Sequence, residues 1–423
     1  MSDTLHILGD KPLQGSVVVG GSKNGTLPML AACLLVEGEC RLQNIPRIED
    51  VETMLALLRR CGAKVERSPN NEVVICASEL SAAEVPADLA GKMRASYYLL
   101  GPLAGRLGRA CLPLPGGCDL GSRPVDYILR PLESLGLTAE IRDERLLLNG
   151  SPTRGGRVEL DSRYRSPGAT FTTIMAACLG DGETVIENAC GEPDIVSFCE
   201  FLNLAGAKIQ GAGSSTIRIQ GVKRLRGVEH QVLGDRLEAG TFLLAGAASR
   251  GDVTVLGVSR EHLTGFVEAL EECGVEVRDE PGGIRALCPK RPRAIEIITH
   301  PFPGFPTDLQ PPMMALLACA EGESRVEESI FDGRMGHVEE LRRMGASIEV
   351  KMRKAVIHGV PLLKGAEVEA LNIRAGGALV VAAVGAEDET ILRGLSHLAR
   401  GYERIEEKLS DLGAQVQADG PAS

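Results

Sequence analysis

Apolar residues recur at three- and four-residue spacing along this chain, in two kinds of segment. In the first kind, such as VETMLALLRRCG (51–62) and GYERIEEKLSDLG (401–413), charged residues fill the positions between, which predicts amphipathic helices with one face on a core. In the second kind nearly every position is small and apolar. SKNGTLPMLAACLL (22–35), RASYYLLGPLAG (94–105), SPGATFTTIMAACLG (166–180), DRLEAGTFLLAGAAS (235–249), TDLQPPMMALLACAEG (307–322) and RAGGALVVAAVG (374–385) have no polar face to offer water. Helices of that composition belong inside a core, with the charged helices outside them.

Each charged helix runs into one recurring phrase: CGAKVER, LGLTAEI, AGAKIQG, CGVEVRD, MGASIEV and LGAQVQA. Its glycines, Gly62, Gly136, Gly206, Gly274, Gly345 and Gly413, follow one another at intervals of 68 to 74 residues. Glycine suits the left-handed turn that stops a helix, and the alternation after it predicts a strand. The chain therefore reads as six copies of a unit of about 70 residues, ordered strand, buried helix, strand, outer helix, strand. Six such units predict an α/β fold with helices in the core, divided into two lobes of three.

Aligned on their glycines, the buried helices open at Lys23, Arg94, Arg165, Arg236, Asp308 and Arg374, 37 to 42 residues upstream. A cation at a helix N-terminus opposes the macrodipole at a cost of some tenths of a kcal/mol. Five of them suggest an anion trap, in which bare N–H groups and side-chain cations at several helix ends enclose a multiply charged ligand. Asp308 is the exception and has two readings: an ordinary N-cap, or a carboxylate set among cations to accept a proton from a hydroxyl. A second polar set opens the outer helices: Asp50, Arg123 with Asp126, Asp194, His262, Arg334 with His337, and Arg400.

Charge and composition narrow the chemistry. The 423 residues carry 46 Lys and Arg against 57 Asp and Glu, a net charge of −11, which disfavours nucleic acid and anionic membranes as partners. No apolar run reaches the length of a membrane span. Twelve cysteines without a C-x-x-C pair point to a reducing cytoplasm. Most stand in apolar helix or strand patterns, but Cys118 lies in LPLPGGCDLGSRPVD (112–126), whose prolines and glycines suit a lid closing over substrate.

At these residues the sequence resembles the enolpyruvyl transferases that act on UDP-N-acetylglucosamine. The matching segments are GGSKNGTLP (20–28), KMRASYYLLGPL (92–103), LPGGCDLGSRPVD (114–126), SPGAT (166–170), GEPDIV (191–196), GDRLEAGTF (234–242), FPTDLQ (305–310), IFDGRMGHVEEL (330–341), RAGGALVVAA (374–383) and RGYERIEEKL (400–409). They cover nearly the whole chain. The resemblance implies a two-domain inside-out α/β barrel of the EPSP synthase type. One lobe would comprise residues 1–21 and 234–423, and the other residues 22–233, with the helix starts lining the cleft.

The implied reaction joins phosphoenolpyruvate to the 3′-hydroxyl of UDP-N-acetylglucosamine and releases phosphate, an early step of peptidoglycan synthesis. By the same resemblance Cys118 protonates or covalently attacks the enolpyruvyl unit, or does both, and Asp308 takes the hydroxyl proton. Lys23, Arg123 and Arg400 hold the phosphate and carboxylate, with Asn24 bonded in the site. Arg94, the stretch Arg123, Pro124, Val125, Asp126 and Tyr127, and Ser166 and Ile330 match nucleotide-sugar contacts; Arg334 and Arg374 match further site arginines. No metal or other cofactor is expected, because guanidinium and ammonium groups supply the positive charge. A cytoplasmic monomer is expected. Departures from the family pattern occur at Ala399, Gly333, Met335 and Tyr164 to Pro167. A paralogue that binds the nucleotide sugar without turnover, a transferase of the shikimate type and a repeat scaffold without a site are the rival readings.

Overall fold

Among the residues described by the computed structural model, 3–9, 11–114, 125–150 and 153–419, the strands form six sheets, five of four strands and one of three. In the five four-stranded sheets the strand after the inner helix is central; for example, Val36–Gln43 pairs in parallel with Leu225–Gln231, Val36 opposite Leu225, and antiparallel with Val73–Cys76, which continues to Lys64–Arg67. Asp252–Leu256 repeats this with Gln14–Val18 in parallel and Gly283–Leu287 antiparallel. In the three-stranded sheet the corresponding strand, Arg109–Pro113, is at the edge, beside Arg145–Asn149. The six repeat glycines all adopt positive φ, from 84° to 104°, where a side chain would be strained.

The chain folds as two compact units whose boundaries fall between Gly20 and Gly21 and between Leu233 and Gly234. Strand exchange explains why one unit is discontinuous. The first strand, Thr4–Leu8, lies between Glu389–Arg393 and Gln415–Ala418 and completes the sheet of the last repeat. Without it, that sheet would lose its middle strand and expose a backbone edge.

Three inner helices form the heart of each unit: Lys23–Ala32, Leu100–Leu107 and Pro167–Cys178 in one, Arg236–Ala248, Gln310–Leu317 and Ile373–Val384 in the other. Their residues are almost all buried, as their uniformly apolar sequences require. Fully burying one Leu or Phe here contributes about 1.5–3 kcal/mol, so two separate cores result. The outer helices bury one face; Glu49–Arg60 also carries acids in its first turn and arginines in its last, in line with the macrodipole.

Three helix starts differ from the expectation. Arg94 opens a 3-10 turn, Arg94–Leu99, and the second inner helix begins after it at Leu100. The third inner helix begins at Pro167 with Ser166 as its cap, leaving Arg165 before the cap at φ 40°. Proline at the first helical position, with φ preset for the helix, accounts for the shift. Asp308 lies in a short 3-10 turn, Thr307–Leu309, ahead of Gln310–Leu317, so it is not the cap of that helix.

Candidate active site

In the unit that contains the C-terminal half, Asp308 is clasped by two arginines, Arg334 from an outer helix start and Arg374 from an inner one. Arg334 Nη2 donates to Asp308 Oδ1 at 2.7 Å, while Arg374 reaches Oδ2 through Nε at 3.1 Å and Nη2 at 3.0 Å. Both arginine side chains are almost wholly buried, at 2% and 8% exposure, whereas that of Asp308 is 26% exposed. Burial works against the charge on Arg374, but Asp308, Tyr402 and Asp235 outweigh it and hold the guanidinium above its ordinary pKa. Asn372 caps the same helix by accepting from the Arg374 and Ala375 N–H groups.

Around this triad the polar groups are fixed tightly. Tyr402, buried, shares a 2.9 Å hydrogen bond with Thr241. Arg334 stacks its guanidinium 4.8 Å from the Phe331 ring centroid, and its carbonyl meets His337 Nδ1 at 3.1 Å. Burial lowers His337 to about 4, so the ring is neutral at physiological pH and adds no charge. The cations at the helix starts are thus offset by a carboxylate from a neighbouring element, which answers the macrodipole cost raised by their positions.

The other unit gathers a second polar group. Lys23, first residue of its helix, places Nζ 3.4 Å from Asp50 Oδ2, with both side chains largely buried. Ser22 caps that helix through the Gly25 N–H. A Cβ on Gly25 would stand 2.8 Å from Asp194 Oδ1, which shows how closely the acidic start of Pro193–Leu204 approaches this helix end. Likewise a Cβ on Gly168 would meet the Tyr97 hydroxyl at 2.1 Å, so the turn opened by Arg94 lies against the helix capped by Ser166. Asn24, Arg94 and Ser166 are half-buried here.

A family model for EPSP synthase (3-phosphoshikimate 1-carboxyvinyltransferase) matches residues 7–409. A UDP-N-acetylglucosamine 1-carboxyvinyltransferase of Nostoc sp. is 44% identical over 98% of this chain and 93% of its own length. A protein of the same name from Symbiobacterium thermophilum is 45% identical over 98% of both chains. The chain belongs to the enolpyruvyl transferase family, in its UDP-N-acetylglucosamine 1-carboxyvinyltransferase branch. Its fold agrees with a solved enolpyruvyl transferase from Streptomyces tendae, with a TM-score of 0.89 at 26% identity over 99% of each chain. The EPSP synthase-like α/β architecture follows.

For this enolpyruvyl transferase the remaining site candidates place as follows. Val125 is half-buried before the Asp126–Ser134 helix, whose first residues Asp126 and Tyr127 are exposed. The Tyr127 ring stands edge-on to Tyr164 at 5.7 Å, so one of the residues that departs from the family pattern touches a candidate nucleotide-sugar contact. Ile330 is half-buried, and Arg400 caps the end of the Leu395–Ala399 helix. Cys118, Arg123 and Pro124 lie outside the described residues. Of the other eleven cysteines eight are buried, and burial lifts Cys61 to about 11 and Cys273 to about 12, as for inert core thiols.

Some neighbours of the site escaped the sequence reading. Tyr402 follows Arg400 closely but reads as an apolar helix position. Glu328 was hidden beside Glu327, although the alternation of buried Ser324 and Val326 places position 328 on the inward side. Glu238 and Lys408, a buried ion pair at 2.6 Å, carried no signal at all, since their partners lie 170 residues apart.

Proposed function

We propose that this chain transfers the enolpyruvyl group of phosphoenolpyruvate to the 3′-hydroxyl of UDP-N-acetylglucosamine and releases inorganic phosphate, an early step in building peptidoglycan. Membership of the family supports the reaction class. The observation that carries the residue assignment is the Asp308 carboxylate, partly open to solvent and gripped by two buried arginines.

In the addition step the sugar oxygen bonds to C2 of phosphoenolpyruvate while C3 gains a proton. In the elimination step the C2–phosphate bond breaks and C3 loses a proton, which restores the double bond. Asp308 accepts the hydroxyl proton. A carboxylate accepts in about four directions, so the incoming hydroxyl can bond to the partly exposed Asp308 beside the guanidiniums, which stay in place to face the anionic substrate. Arg334 and Arg374 then stabilise negative charge developing between carboxylate and phosphate. We assign Lys23, Asn24 and Arg400 to phosphoenolpyruvate, and Arg94, Arg123, Pro124, Val125, Asp126, Tyr127, Ser166 and Ile330 to the nucleotide sugar. Cys118 supplies the thiol, as proton donor, nucleophile or both.

The proposal takes the enzyme as a cytoplasmic monomer that needs no metal or other cofactor. Eleven described cysteines without a disulfide support a reducing compartment. No helix among the described residues is long and apolar enough to cross a membrane.

The test is phosphate release with both substrates, each also omitted in turn. Release only when both are present is the expected result, and none under any condition sinks the proposal. Lys23→Ala is expected to lower kcat/KM for phosphoenolpyruvate by about 10- to 100-fold, the worth of one charged hydrogen bond, with the nucleotide-sugar affinity unchanged. Unchanged phosphoenolpyruvate kinetics would remove Lys23 from the site.

A further inference from the structure

We propose that Glu328 is a positioning residue that sets Asp308 and Arg334 in their working geometry. The inference rests on the transferase reading above and adds to it a residue that touches no substrate. The Glu328 side chain is completely buried, and among the described residues no cation pairs with it. Its carboxylate accepts four hydrogen bonds instead. Oε1 takes the Thr299 hydroxyl at 3.1 Å, the Ile330 N–H at 2.8 Å and the Phe331 N–H at 3.0 Å; Oε2 takes the Thr307 hydroxyl at 2.9 Å.

These donors close a circuit through the reacting group. Thr307 is bonded to Asp308 in the chain; Asp308 accepts from Arg334; Arg334 stacks on Phe331; and the Phe331 backbone returns to Glu328. Arg334 depends on this circuit, because its side chain is buried and its Nε has no hydrogen-bond partner among the described residues. Its placement therefore falls to Asp308 and to the ring beneath it. Glu328 also fixes the backbone at Ile330, assigned above to the nucleotide sugar.

A purely structural role is a poor account of a carboxylate at this position. Stripping water from an unpaired charge is costly, and the inward positions before it in the strand, Ser324 and Val326, are uncharged. What the carboxylate supplies is acceptor capacity in several directions at once, extending the tie between the two loops that follow the parallel strands Glu296–Ile298 and Glu323–Glu327 out to Thr307 and Phe331. Errors of an ångström at reacting groups can cost about 100-fold in rate, so two loops tied to one anion are a sensible precaution.

Thr307→Val removes the hydroxyl but keeps the shape, and Thr307→Ser restores it. The expected result is a kcat about tenfold lower for Thr307→Val, with KM for phosphoenolpyruvate and nucleotide-sugar binding stoichiometry close to wild type, and recovery in Thr307→Ser. Glu328→Gln, which offers one acceptor oxygen where Oε1 and Oε2 served four donors, should lower kcat similarly without lowering the folded fraction. The inference is overturned if both Thr307→Val and Glu328→Gln turn over like wild type, if Thr307→Ser is as slow as Thr307→Val, or if each loss of rate equals a loss of folded protein. A wild type that releases no phosphate defeats the transferase reading and this inference with it; an active wild type beside unimpaired variants defeats the inference alone.

Discussion

Asp308→Ala is expected to lower kcat by about 1000-fold while leaving nucleotide-sugar binding measurable, because it removes the group that accepts the hydroxyl proton. The same change strands two buried guanidiniums. Arg334 would lose its ion-pair partner and keep only the face of Phe331; Arg374 would retain Tyr402. A modest loss of thermal stability should follow, about 1–3 kcal/mol, since the carboxylate is partly exposed in the wild type. Inorganic phosphate should then stabilise the variant more than it stabilises the wild type, as an anion that replaces the missing carboxylate. Rapid-mixing measurement of phosphate release, with calorimetry of nucleotide-sugar binding, tests the first part, and melting with and without phosphate the second. A variant within about tenfold of wild-type kcat would show that another group takes the proton.

How much of this was legible beforehand depends on the range over which each residue acts. The six-fold repeat could be read because helix stops and strand alternation are local, and the structure places all six glycines at positive φ. The uniformly apolar helices could be read as interior for the same reason. Asp308 stood out because it breaks a row of cations, but its clamp by Arg334 and Arg374 could not be foreseen, since those arginines come from 26 and 66 residues away. Arg165, found by counting back from the repeat glycine, lies just ahead of the helix, because the Ser166–Pro167 cap signal beside it is the stronger local one. Buried charged pairs are the hardest case. Nothing local distinguishes Lys408 from the other charged residues of its helix, Glu406, Glu407 and Asp411, until the fold brings Glu238 against it.

A common device links these features. At Asp308, Glu328 and Glu238 a carboxylate gathers donors from segments distant in sequence. Helices built of Ala, Gly, Leu and Val pack closely but slide easily, because such surfaces lack directional bonds. Carboxylates supply the direction: Asp308 joins two helix starts, Glu328 joins two loops, and Glu238 binds the Gly20 N–H at 2.8 Å where the chain leaves its first unit.

That role makes Lys408→Met the variant with the largest expected effect on stability. Lys408 is the only cation the structure pairs with Glu238 among the described residues, and both side chains are buried. Removing one partner of a buried pair leaves an uncompensated charge, at a cost of about 3–5 kcal/mol. Burial already lifts the Glu238 carboxyl to about 7, with Lys408 and the Gly20 N–H pulling the other way, so losing the lysine raises it further. A carboxyl with a folded pKa above its unfolded value of about 4.3 binds more protons in the native state, so its contribution to stability is fully present below that value and fades as pH rises through the folded pKa. The deficit of Lys408→Met relative to wild type should therefore be largest near pH 8 and shrink towards pH 6, as Glu238 takes up a proton and no longer strands a charge. Adding Glu238→Gln should recover much of the loss at pH 8, since the neutral amide can still accept from the Gly20 N–H. Urea unfolding of the three proteins at both pH values measures all of this. A deficit that stays constant with pH, or a double variant no more stable than Lys408→Met, would mean that packing around the lysine stem, and not its charge, holds this part of the core.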